Sequence, residues 1–224
     1  MKLSSNTTMV LKNFATINQN LVIKEGSELL TMSSMKNIVA KATVEENFPK
    51  EFAIYDLNEF LASLSIFKSP VLEFEEQYLT IKEEDQPHKK LTYFYSDPSV
   101  VQSPTKTITM PSEEVKFHLD MNKLLEMKRA AGVIGSPDMV LQKSSGNSSL
   151  LVKDKKNDTA NNYSSDISTD GDGEYKFFFK VENLKLMDGS YYVSVSSRNI
   201  SNFKSKNSDV EYWIALEPES TYSA

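Results

Sequence analysis

Two aspartates are the first residues of this sequence that invite an acid–base reading. Asp56 stands in Phe52-Ala-Ile-Tyr-Asp56-Leu-Asn-Glu-Phe60-Leu61, and Asp120 in Lys116-Phe-His-Leu-Asp120-Met-Asn-Lys-Leu124-Leu125. Two carboxylates can divide the work of general acid and general base. The matching contexts point elsewhere. Each Asp follows a short alternating apolar run and precedes apolar residues at helical spacing, as in Leu57, Phe60, Leu61 and Leu64. At that junction a carboxylate accepts an orphan backbone N–H of the first helical turn. Both are read as helix caps and not as a catalytic pair.

The other chemistry-bearing residues are few. His88 lies in a loop-like Pro-His-Lys-Lys stretch and His118 in a strand running into a helix. Neither has a base or metal-ligand partner at motif spacing. The run Asp166-Ile-Ser-Thr-Asp170-Gly-Asp172-Gly-Glu174 hints at a calcium loop, but its twelfth position from Asp166 is Phe177, where a carboxylate is needed. It is read as a polar hairpin turn. No phosphate-binding loop, nucleotide fingerprint or nucleophile elbow occurs. No catalytic residue, metal or cofactor is expected.

Composition narrows the class. The 224 residues suggest one or two domains, and 39% apolar residues suffice for ordinary cores. No run approaches the ~18 apolar residues of a spanning helix, so no membrane partner is expected. The opening residues carry no apolar run of the leader type. The absence of cysteine excludes a disulfide framework and fits a reducing cytoplasm. The net charge of −6 argues against simple basic adhesion to nucleic acid, though one local basic face remains compatible with it.

The elements that carry the two aspartates form a repeat. A first helix is predicted from Val10, Leu11, Phe14 and Ile17, capped by Ser5 or Asn6. Strands are expected at 21–24, 28–32 and 38–44, with turns at Gly26 and Lys36-Asn37. The first strand–Asp–helix unit occupies 52–66, followed by strands at 71–75, 78–82 and 90–95. Pro98, Pro104 and Pro111 mark an extended connector. The second half repeats the plan. Strand 115–119 leads into helix 120–131, with strands at 139–143, 150–153 and 175–180. A short helical turn at 181–187 is the weakest copy, and strands at 191–197, 200–204 and 209–216 precede a polar tail. The fold class is α+β, built as two similar domains: 1–97, a connector 98–111, and 112–224.

The segments Leu11-Lys-Asn-Phe-Ala-Thr-Ile17, Ala53-Ile-Tyr-Asp-Leu-Asn58 and Ile214-Ala-Leu-Glu217, in this order and chain length, resemble the DNA polymerase sliding clamp of T4-like bacteriophages. The resemblance runs from Met1 to about Tyr222 and is strongest in 1–18, 52–61 and the last strand. It implies the DNA clamp fold and a homotrimeric ring, with antiparallel sheets outside and twelve helices lining a central hole around duplex DNA. It also implies a non-enzymatic processivity factor that tethers the DNA polymerase, is loaded by a clamp-loader ATPase, and works in the cytoplasm of the infected bacterial host. A role in late transcription is compatible with it. The rival class is a β-rich trimeric structural component of a phage virion. A single-strand binder would need exposed aromatics among basic residues; Tyr93-Phe94-Tyr95 and 177–179 instead alternate or run as sheet-core strands.

Two candidate sites follow. Two positions beyond the first core residue of a helix lies ~200° around, opposite the core stripe. Those positions are Lys12, Lys123 and Glu59. Lys12 and Lys123 are expected to be exposed and to face DNA, with Lys2, Lys128, Arg129, Lys180 and Lys185 as further candidates. Lys128 falls on the core side and must snorkel from the helix end. Glu126 stands where the family leads one to expect a base, so the hole is only modestly positive, as loose phosphate contact requires. The second site is an apolar pocket for client peptides, formed by Val100, Val101, Ile108, Met110, Ile214, Leu216 and Pro218.

Overall fold

The structure, a computed structural model, describes residues 1–104 and 108–224. The chain divides into two compact units, Met1–Thr107 and Ile108–Ala224.

The first unit opens with α1 (Ser5–Ile17), which buries Val10, Leu11, Phe14 and Ile17 in one apolar stripe. Its N-cap is Ser4, one residue earlier than expected. Ser4 Oγ accepts the Thr7 N–H at 3.1 Å, a bond of the kind worth about 1 kcal/mol. Four strands follow: β1 (Leu21–Ile23), β2 (Gly26–Met32), β3 (Ile38–Phe48) and β4 (Phe52–Ile54). β1 pairs with β4 and β2 with β3, all antiparallel. The β2–β3 turn places Lys36 at φ 59°, close to where sequence put a turn.

β4 runs through Asp56 into α2 (Leu57–Ser65). Asp56 Oδ1 accepts the Asn58 N–H at 2.9 Å and the Glu59 N–H at 3.2 Å. α2 buries Leu57, Phe60 and Leu64 and packs on α1. β5 (Pro70–Phe74), β6 (Tyr78–Glu83) and β7 (Gln86–Phe94) then form a three-stranded antiparallel sheet with β7 at one end.

In the second unit β8 (Val115–Leu119) runs through Asp120 into α3 (Met121–Ile134), and Asp120 Oδ1 accepts the Lys123 N–H at 2.9 Å. The helix extends to Gly135, whose φ of 66° supplies the left-handed closure that glycine adopts cheaply. α3 buries Leu124, Met127 and Ala131 and packs on β9 (Asp138–Ser144) and β10 (Asn147–Lys153). With β11 (Tyr163–Asp166), β12 (Glu174–Lys180) and β16 (Thr221–Ser223) these strands make a sheet of order β11-β10-β9-β12-β16. β13 (Tyr191–Ser196) pairs on one side with β8 and on the other with β14 (Ile200–Ser205), which pairs with β15 (Val210–Ala215).

One expectation is corrected. The fourth helix is a single 3-10 turn, Val181–Asn183. Its N-cap is Lys180, which makes no side-chain cap bond, unlike Ser4, Asp56 and Asp120. Downstream, the Tyr212 hydroxyl accepts the Met187 N–H and the Tyr191 hydroxyl donates to the Met187 carbonyl at 2.5 Å, which fixes a non-helical path. The polar tail ends in a strand: β16 pairs with β12 from Glu174↔Ser223 to Lys176↔Thr221. Among the described residues no helix is long and apolar enough to cross a membrane.

Candidate functional site

The solvent face of α1 carries Ser5, Met9, Lys12 and Thr16, the positions left over once the core stripe is buried. Lys12 is exposed, and no ion pair or hydrogen bond engages its ammonium among the described residues. α2, packed beside α1, exposes Asn58, Glu59, Ala62 and Ser65. This surface is hydroxyl- and amide-rich with one charge of each sign, suited to weak, sequence-neutral contact with phosphates. Lys2 lies just ahead of α1, exposed and paired with Glu84 at 2.5 Å.

On α3 the expectation of an exposed Lys123 is corrected. Its side chain is only 22% exposed, donates to Ser165 Oγ on β11, and lies 3.4 Å from Glu126. Lys128 is half-buried, and burial pulls its ammonium below the ordinary lysine range, with Asp188 acting in the opposite direction. Arg129 is exposed. Lys180 reaches Asp138 Oδ1 at 2.7 Å and is 3.8 Å from Glu217. Lys185 is half-buried after the 3-10 turn. Of the basic candidates, Lys12 and Arg129 therefore present the least encumbered charges.

The apolar candidates separate by burial. In the first unit Val101 packs with Val22 and Ala53 in the core, whereas Val100, ending a 3-10 turn at Pro98–Val100, is 60% exposed. In the second unit Ile214 and Leu216 are buried, Ile108 and Met110 half-buried, and Pro218 exposed. Val101, Ile214 and Leu216 thus belong to the cores, and Val100 and Pro218 are the exposed members of the expected pocket set. The stretch 105–107 of the expected connector lies outside the described residues.

Sequence reasoning missed two apolar surfaces. α3 exposes Met121, Leu125 and Val133 on the side away from its core stripe. Leu125, Arg129, Val133 and Tyr163 of β11 line a groove of about 600 Å³. A second apolar stripe on one helix was the available signal, since a surface helix normally carries one. In the first unit Tyr55, Glu59, Leu91, Tyr93 and Phe94 line a groove of about 460 Å³ beside β7. Phe94 is 68% exposed and so does not belong to a sheet core, while Phe177, Phe178 and Phe179 do.

Neither capping carboxylate is free for catalysis. Asp56 and Asp120 face the backbone N–H groups of α2 and α3. His118 stacks at a tilt on Tyr192, 5.8 Å between ring centres.

The family described as DNA polymerase processivity factor matches residues 2–101, and that described as gp45 sliding clamp, C terminal, matches residues 116–218. The sliding clamp of Vibrio phage KVP40 is 33% identical over 97% of this chain and 99% of its own length. The sliding clamp of Enterobacteria phage T4 is 28% identical over 99% of each chain. Among solved structures, PCNA from Thermococcus kodakaraensis superposes with a TM-score of 0.69 at 15% identity, covering 95% of this chain and 96% of that one, a likeness of fold. None of these matches supports a virion component. Two capped helix-and-sheet units, each matched by its own half of the family, make this chain a member of the sliding-clamp family, the non-enzymatic processivity factors of DNA polymerase.

Proposed function

We propose that copies of this chain close head to tail into a ring of three around duplex DNA and tether the replicative polymerase to it. One observation supports closure. Among the described residues each unit ends a sheet in a strand with no ladder partner on its outer side, β7 in one and β11 in the other, and each lies beside an exposed groove lined in part by apolar side chains. Such edges recruit another strand unless covered. Joining β7 of one copy to β11 of the next is a heterologous contact, and heterologous contacts close into rings when the rotation permits. The count of three follows the family resemblance. The faces of α1 and α2 meet the phosphates; the weak charge suits sliding. Val100 and Pro218 are the exposed members of the client surface. Tethering raises the polymerase's effective concentration at the primer end without new base contacts. An ATP-driven loader opens the ring, and the setting is the cytoplasm of an infected bacterium.

Size-exclusion chromatography with light scattering tests the ring: three times the subunit mass is expected, and a strict monomer at high concentration overturns it. Retention on nicked circular DNA, lost when the circle is cut, tests encirclement.

A further inference from the structure

β11 is a poor strand by sequence. Tyr163-Ser-Ser-Asp166 is four residues long, with one β-favouring residue, Tyr163, and an aspartate that disfavours strands. β10 supports one side of it only, from Val152↔Tyr163 to Ser149↔Asp166. A short strand at a sheet end, without apolar anchors, opens locally at little cost. Here α3 holds it. Tyr163 and Ser165 point to the same face, two residues apart. Lys123 and Glu126 share a helix face, three apart. The Tyr163 hydroxyl donates to Glu126 Oε1 at 2.6 Å, the Lys123 ammonium donates to Ser165 Oγ, and Lys123 lies 3.4 Å from Glu126 Oε2. The Tyr163 bond also holds the Glu126 carboxyl below its ordinary range and raises the Tyr163 hydroxyl above its own.

We propose that Lys123, Glu126, Tyr163 and Ser165 form a clasp that keeps β11 flat and open for strand pairing with a second copy of this chain. The inference rests on the ring reading above and adds residues to it. Lys123 and Glu126 are then positioning residues for assembly and not DNA contacts. The occupant is a second copy because the clasp borders the groove of Leu125 and Val133, and the two features together present a ladder edge with an apolar floor. An acid at 126, unexpected on a DNA-facing helix, has a reason here: a tyrosine hydroxyl needs an acceptor.

Sedimentation velocity over a dilution series tests the clasp with wild type, Tyr163→Phe, Glu126→Gln and the double variant. Each single variant is expected to raise the ring's dissociation concentration at least tenfold, and the double by less than the product of the two, since both act on the Tyr163–Glu126 bond, one by removing its donor and the other the charge that strengthens it. Amide exchange at 163–166 in the dissociated subunit should accelerate, with the thermal midpoint unchanged. Lys123→Arg should assemble better than Lys123→Met. Variants that assemble at the wild-type concentration overturn the clasp and leave the ring standing. A wild type that never assembles overturns the ring reading and the clasp with it.

Discussion

Lys180 Nζ lies 2.7 Å from Oδ1 of Asp138, a carboxylate with no solvent exposure. The other oxygen of Asp138 accepts the Lys155 N–H at 3.1 Å. Lys155 Nζ in turn bridges Glu217 at 2.7 Å and Glu219 at 2.9 Å. The network ties the C-terminal segment to β9 and β12. Removing one partner of a buried pair leaves a charge unpaired, which costs about 3 kcal/mol. Lys180→Met is therefore expected to lower the stability by about that amount, read as a shift in denaturant midpoint at constant slope. A loss under 1 kcal/mol would return Lys180 to the pool of DNA contacts.

Lys12→Glu is expected to leave unfolding within about 0.5 kcal/mol of wild type, because the side chain is exposed and unpaired. Polymerase processivity should fall, most at low salt, where the lost attraction is least screened. The slope of log retention against log salt should shrink by about 0.9 per lost phosphate contact. An unchanged slope would mean that α1 does not face the duplex.

Leu216 and Pro218 stand two residues apart and differ in exposure, Leu216 at 6% and Pro218 exposed. Leu216→Asp is expected to cost about 3 kcal/mol, since an unpaired carboxylate enters the core. Pro218→Asp should leave folding and assembly intact and weaken binding of a polymerase C-terminal peptide, followed by fluorescence anisotropy. Equal affinity for wild type and Pro218→Asp would put the client site elsewhere.

Acid stability should depend on Glu46. Burial alone would raise its pKa, but the Thr7 hydroxyl and Ser4 N–H it accepts outweigh burial and hold the carboxyl below the ordinary 4.5. A group depressed in the folded state stabilises fully above its unfolded pKa and loses that contribution as pH falls through the lower folded value. Glu46→Gln is expected to flatten the pH dependence of stability below about 4.5. Hydrogen exchange at the start of α1 should rise in the same window. An identical acid limb for the two proteins would exclude Glu46 as its source.

The helix starts at Asp56 and Asp120, the apolar stripe of α1, the strand runs and the two-fold repeat were legible in the sequence, because caps and periodicity act within a turn or two of the chain. The family resemblance was legible for the same reason: its motifs are such local units. What the lysines do was not. Lys180 meets Asp138, and Lys123 meets Ser165, each 42 residues away, and helical position alone cannot foresee such partners. The strand character of the tail depends on β12 arriving beside it. The missing fourth helix depends on two tyrosines that pin Met187 from other strands. A charge on a helix face is an offer of electrostatic energy, and tertiary packing decides whether a carboxylate, a strand edge or solvent takes it.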